Sequence, residues 1–187
     1  TSGIMEAKKN DIKIKINTVA IKNFNENELE ELIIWANKLD IDLTFIEVMP
    51  MEETDTMRYA QFAPLDEIFN QLNKKFNFEK SDQNTGGPAT YYTSKIISNK
   101  IGFITPITNN FCASCNRVRI TSTGKLFMCL GQNDYVDFRE ILRNDYSNDY
   151  IKEKINYALK IKPQKHDFLI EENSKSYMQR HMNVTGG

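Results

Sequence analysis

From Ile12 to Asn17 apolar and polar residues alternate without a break, with Ile12, Ile14 and Ile16 on one side and Lys13, Lys15 and Asn17 on the other. A period of two is the mark of a strand, and the pattern predicts one over 12–20. A loop at 22–25 leads to Leu29, Leu32, Ile33, Ala36 and Leu39, which share one face of a helix over 26–39. Asn25, with Glu28 three residues later, predicts a box-like N-cap for it. A second strand runs from Leu43 to Val48 and ends at Met49-Pro50. Strand, helix and strand with short links form a βαβ unit, whose strands are parallel.

The pattern changes after residue 50. Residues 51–63 are polar and irregular, with Glu52, Glu53 and Asp55 solvated. Pro64 suits the first turn of a helix continued by Leu65, Ile68, Phe69, Leu72 and Phe76. The segment 80–87 reads as a loop, and strands over 91–97 and 101–105 form a hairpin around Ser98-Asn99. Two further strand patches, 117–121 and 125–129, are joined by Ser122-Thr123-Gly124. A three-residue hairpin loop with Gly in its last, left-handed position pairs residue 121 with 125, and so Arg117 with Cys129. Helices are predicted over 135–143 and 147–161, and residues 1–9 read as the tail of another; 162–187 show little periodicity. The fold class is α/β, with a boundary near residue 50 that separates a βα part, 1–50, from an α+β part, 51–187.

The last hairpin concentrates the candidate chemistry. It and the turn before it hold all three cysteines, Cys112, Cys115 and Cys129. Opposed residues share a face, as do residues two apart. Arg117, Arg119 and Cys129 therefore point one way, with Cys112 and Cys115 just below. A loop shorter by one residue would turn Cys129 to the wrong face. Three thiolates beside two guanidinium groups indicate a metal site next to an anion. Three metal-or-redox options stay open at this point. Zinc would need a fourth ligand, from His166 or His181, in a Cys3His interaction module. A cubane iron–sulfur cluster would keep one iron free. A redox CxxC favours a helix N-terminus, whereas a strand follows here. Lys15 lies on the polar face of the first strand, which is solvated in an open sheet but needs an anionic partner inside a barrel. Met49 follows the carboxyl end of the second strand, where α/β folds bind ligands.

Composition narrows the setting. At 187 residues and 40% hydrophobic content the chain has enough apolar mass for one or two cores. A net charge of −1 gives no global field that would draw it to nucleic acid or to a membrane surface. An odd, clustered set of cysteines argues for a reducing compartment, and no apolar run reaches spanning length. The chain opens at Thr1 like the middle of a longer protein, so a fragment is expected.

Several pieces occur in one order: 14–19 (Ile-Lys-Ile-Asn-Thr-Val), 45–50 (Phe-Ile-Glu-Val-Met-Pro), Gly87-Pro88-Ala89, 101–105 (Ile-Gly-Phe-Ile-Thr), the Phe-Cys-x-x-Cys-Asn-Arg-x-Arg run and the terminal Gly-Gly. Together they resemble, over essentially the whole chain, the C-terminal part of the GTP 3′,8-cyclase family of radical-SAM enzymes in molybdenum cofactor biosynthesis. The resemblance implies the C-terminal part of a partial (βα) radical-SAM barrel followed by an α+β region carrying an auxiliary iron–sulfur cluster. It implies conversion of GTP to a cyclic pyranopterin precursor, 3′,8-cyclo-7,8-dihydro-GTP, in the cytoplasm, by a chain that could pair as a homodimer. A first [4Fe–4S] cluster, which cleaves S-adenosylmethionine, sits in that family on a CxxxCxxC motif absent from this sequence. A fragment of this kind is expected to be inactive alone. The second cluster matches Cys112, Cys115 and Cys129. Arg117, Val118 and Arg119 match the segment that holds GTP, Lys15 matches a further GTP contact, and Met49 a residue beside S-adenosylmethionine. Gly186 and Gly187 match a tail that reaches the active site. Two positions depart from the pattern: Thr44 replaces the usual Arg before Phe-Ile-Glu, and Val-Thr precedes the glycines where Ile is usual.

Overall fold

The computed structural model describes residues 1–51, 57–144, 146–168, 170, 180 and 182–185. In chain order the elements are α1 (Ser2–Lys9), β1 (Lys15–Ala20), α2 (Leu29–Lys38), β2 (Asp42–Glu47), α3 (Met57–Gln61), α4 (Leu65–Phe76), β3 (Glu79–Lys80), β4 (Thr90–Thr93) and β5 (Ile101–Ile104). They are followed by β6 (Arg119–Ile120), β7 (Lys125–Phe127), β8 (Tyr135–Asp137), α5 (Phe138–Arg143) and α6 (Asn148–Lys160). The chain divides into two units, one of Thr1–Met49 with Ala60–Asn110 and one of Pro50–Tyr59 with Phe111–Gly187. The sequence reading kept all of 51–187 together. Residues 60–110 instead return to the first unit, because β5 pairs with β2 and α4 covers the same sheet.

The first unit is built on a mixed five-stranded sheet in the order β1-β2-β5-β4-β3. β1 and β2 are parallel, as the βαβ pattern requires, and β5 adds parallel to β2 with Thr44 beside Gly102. β4 then runs antiparallel to β5, placing Tyr91 beside Gly102. One face of the sheet presents Ala20, Leu43, Phe45, Ile101 and Phe103 to an apolar cluster with Leu29, Ile33 and Ala36 of α2 and Leu65, Ile68, Leu72 and Phe76 of α4. By the pleat, the other face carries Lys15, Asn17, Thr44, Gly102 and Tyr91.

Several boundaries differ from the sequence pattern for local reasons. β1 begins at Lys15 because Ile12 belongs to the cap of α1. Its N–H bonds to Ala7 O at 3.0 Å and that of Asp11 to Lys8 O at 3.1 Å, with Asp11 at φ 54°, a Schellman closure. Asn25 does not cap α2. Its side chain turns back on β1, accepting from Ile21 N at 2.8 Å and donating to Val19 O at 2.9 Å, and α2 starts at Leu29 after Glu28. Glu79–Lys80, at the start of the predicted loop, pairs with β4 instead.

The second unit holds a three-stranded antiparallel sheet, β6-β7-β8. Arg119 pairs with Phe127 and Ile120 with Leu126, the register set by a three-residue loop. Gly124 stands at φ 84°, and Thr121 N–H reaches Lys125 O at 3.0 Å. Residues 135–137 are strand rather than the start of a helix, since β7 offers them a ladder. Asp137 then caps α5, accepting from the N–H groups of Arg139 and Glu140. Leu126, Met128, Phe138, Ile141 and Ala158 form the core of this unit.

Candidate functional site

Cys112–Ser114 form a single 3-10 turn in which Cys115 N–H bonds to Cys112 O at 3.1 Å. Such a turn brings side chains three apart onto one side. The chain then runs into β6; Arg119 in it and Arg117 just before it are half-buried, while Val118 and Ile120 are 38% and 59% exposed. The register keeps Arg119 on the face of its partner Phe127, opposite the core residue Leu126. The thiols sense one another. Burial pushes the Cys129 thiol up; Cys112 and Cys115 add to that, while the Gly131 N–H and Lys162 oppose it. Burial also lowers Arg119, as does Arg117, whereas Cys115 and Cys129 act the other way. Cys112 and Cys115 thus lie near enough to Cys129 to influence it, and Arg117, Cys115 and Cys129 near enough to influence Arg119.

Two cations that the sequence reading missed complete it. Lys162, just past α6, donates from Nζ to Arg117 O at 2.9 Å and Met128 O at 2.6 Å, and lies 4.0 Å from Cys115 Sγ. Arg180 is 9% exposed. Its Nη2 donates to Cys129 O at 3.0 Å and Leu130 O at 2.8 Å, its Nη1 to Asn133 Oδ1 at 3.1 Å, and its guanidinium stacks 4.0 Å from the Phe127 ring centroid. Arg180 Nε is buried without a hydrogen-bond partner. No local pattern marks either residue. The only hint was a Lys-Pro step ending a helix.

Among the described residues, no three His, Cys, Asp or Glu side chains close round a single-ion position. His166 accepts from Phe168 N–H through Nδ1 at 3.2 Å and packs on the Phe168 ring at 4.7 Å; His181 lies outside the described residues. An iron–sulfur cube takes one thiolate per iron and so accepts ligands spread more widely than one ion does. Three thiols beside guanidinium groups are a donor set that such a cluster can take.

In the first unit, Lys15 Nζ donates to the Tyr91 hydroxyl at 3.1 Å. Tyr91 is 1% exposed and also meets Thr85 Oγ1 at 3.3 Å. Burial alone would raise the Tyr91 phenol, but the hydrogen bonds from Thr85 and Lys15 and the Lys15 charge outweigh it, so its value is lowered. Beside this pair, Thr44 Oγ1 is buried and close enough to the Tyr91 phenol to help lower it. Met49 is half-buried just past β2. Glu47, 1% exposed, accepts from Leu65 N at 3.3 Å, Ile107 N at 2.8 Å, Thr108 N at 3.1 Å and the Thr108 hydroxyl. It ties the end of β2 to the start of α4 and to the chain after β5. Gly186 and Gly187 lie outside the described residues. Among those residues, no helix is long and apolar enough to cross a membrane.

A mixed α/β sheet followed by a cysteine-bearing hairpin is the architecture to which sequence comparison attaches a family. Residues 41–168 match Molybdenum Cofactor Synthesis C, and the chain belongs to that family. It is similar to proteins named GTP 3′,8-cyclase from Brucella ovis, Brucella canis and Brucella suis, each 46% identical over 186 residues, 99% of this chain and 54% of the relative. The chain thus spans about half the length of the curated relatives it matches.

Proposed function

We propose that this chain is the C-terminal part of a GTP 3′,8-cyclase that converts GTP to 3′,8-cyclo-7,8-dihydro-GTP in the cytoplasm, by S-adenosylmethionine radical chemistry. The observation that carries the reading is 46% identity, over 99% of the chain, to relatives of that name. The grouping of three thiols with Arg117 and Arg119 supports it. On this reading Cys112, Cys115 and Cys129 hold a [4Fe–4S] cluster, which when bound supplies an iron with a free position for the guanine base. Arg117 and Arg119, with the Val118 backbone, hold GTP; guanidinium groups fork onto phosphate oxygens and keep their charge at any working pH. Lys15 makes a further GTP contact, and its ammonium is oriented by Tyr91. Met49 stands beside S-adenosylmethionine, and Gly186 and Gly187 reach the reacting groups. The first cluster requires a CxxxCxxC motif that this sequence does not contain, so alone the chain turns over no GTP.

Anaerobic reconstitution with iron and sulfide, followed by electron paramagnetic resonance with and without GTP, tests this. About four irons per chain are expected for one cubane cluster, lost on Cys→Ala at 112, 115 or 129, with a spectrum that changes when GTP is added. One tightly held zinc and no response to GTP would overturn the reading.

A further inference from the structure

The β6–β7 ladder stops short of the cysteines. Its last pair toward them is Arg119 with Phe127; in the same register Val118 and Met128 would be the next opposed pair, and Arg117 and Cys129 the one after. Beyond Phe127 the chain leaves strand geometry, and Lys162 Nζ enters there. Its donors meet Arg117 O on one side of the hairpin and Met128 O on the other, at 2.9 and 2.6 Å. An ammonium has three N–H groups and no acceptor, and the remaining partner is Cys115 Sγ at 4.0 Å, the outer reach of an N–H···S contact. One of the bridged carbonyls lies two residues after Cys115 and the other directly before Cys129. Lys162 therefore fixes the backbone on which two of the three thiols stand, and it points its charge at one of them.

We infer that Lys162 is a positioning residue of the cysteine site. It replaces the missing ladder bonds, so Cys115 and Cys129 are held at their mutual spacing before metal enters, and it then serves as the fixed cation that donates to the Cys115 thiolate. Three thiolates on one cluster build up negative charge. Hydrogen bonds to sulfur and nearby positive charge raise a cluster's reduction potential, and groups that orient ligands govern how firmly the metal is kept. The second part rests on the cluster reading proposed above; the first part does not, because the two carbonyl bonds need no metal.

Three variants separate these contributions. Lys162→Met keeps the stem and removes both charge and donors; Lys162→Gln keeps neutral donors; Lys162→Arg keeps charge and donors. In the metal-free chain, hydrogen exchange over 117–129 should quicken in Lys162→Met and be largely restored in Lys162→Arg. After anaerobic reconstitution, Lys162→Met should release iron to a chelator about tenfold faster than wild type, the low end of what ligand-orienting groups usually contribute. Its cluster should also have a more negative midpoint potential. Lys162→Gln should shift the potential similarly while keeping more of the exchange protection. A wild-type chain that takes up no iron overturns the cluster reading and the second part with it, leaving the exchange result to decide the first. A loaded wild type whose Lys162→Met variant matches it in iron release and potential overturns the role of Lys162 alone. Should Lys162→Met fail to fold, the Gln and Arg variants still decide, since equal potentials for both would remove the charge effect.

Discussion

The sheet of the first unit is sealed by apolar side chains from three of its strands and two helices, while among the described residues the core cluster of the second is smaller, made of Leu126, Met128, Phe138, Ile141 and Ala158. The second unit compensates with cations seated on main-chain carbonyls: Lys162 on Arg117 and Met128, and Arg180 on Cys129 and Leu130. Apolar packing is indifferent to what binds nearby. Cations beside thiols are not, because their worth depends on the charge those thiols carry. The comparison teaches that one unit is stabilised by its own interior, whereas the other is stabilised partly by groups that also face its thiols.

The sharpest way to break this contrast is Phe103→Ala. Phe103 is 4% exposed and meets the rings of Phe45, Phe69, Phe78 and Tyr92. Truncation should cost about 4 kcal/mol, read by hydrogen exchange as a loss confined to the first unit. An equal loss in the second unit would show that the two do not stand separately. Glu47→Ala comes next, at about 3 kcal/mol, because it strands the buried N–H of Leu65 and the half-buried N–H groups of Ile107 and Thr108. Glu47→Gln, which keeps one acceptor oxygen, should cost less in the same denaturant titration. Gly102→Ala should cost about 2 kcal/mol by overpacking, since the new Cβ would stand 2.7 Å from Thr44 Oγ1 and 3.0 Å from Tyr91 Cε1. Adding Thr44→Ala should recover part of that loss, and strictly additive effects would refute the clash.

The smallest effect is electrostatic. Because the Tyr91 phenol is lowered in the folded chain, folding favours its ionised form. Its contribution is absent at neutral pH, grows as pH rises through the lowered value, and is complete above the ordinary phenol value. Lys15→Met should move the Tyr91 transition in an ultraviolet titration upward, since burial then acts with less opposition. An unchanged transition would mean that Lys15 does not govern it.

The parts legible in the sequence were those written in local period and turn chemistry. The alternation at 12–17, the helical face from Leu29 to Leu39 and the apolar run at 43–48 specify β1-α2-β2. One glycine in a left-handed position, Gly124, was enough to set the register that pairs Arg119 with Phe127, although the ladder ends there and does not reach the expected Arg117–Cys129 pair. The misreadings came where a distant partner overrides a local preference. Asn25 is a good capping residue but finds better partners at Val19 and Ile21. Tyr135-Val136-Asp137 continues a helical pattern but lies against β7. Lys162 and Arg180 were invisible because a lone basic residue in a polar stretch has no pattern; only the folded chain shows whose carbonyls it meets.

The route of the chain through the sheet has a consequence for synthesis. β2 ends at Glu47, yet the strand beside it in the finished sheet, β5, starts only at Ile101, and residues 50–59 in between belong to the other unit. A ribosome delivers the chain from its N-terminus at about 5–20 residues per second. The open edge of β2, with Leu43 and Phe45 beside it, therefore waits several seconds for its neighbour. That interval, in which a strand edge and apolar side chains stand unprotected, is when nascent chains of this protein are most exposed to mispairing and most in need of a chaperone.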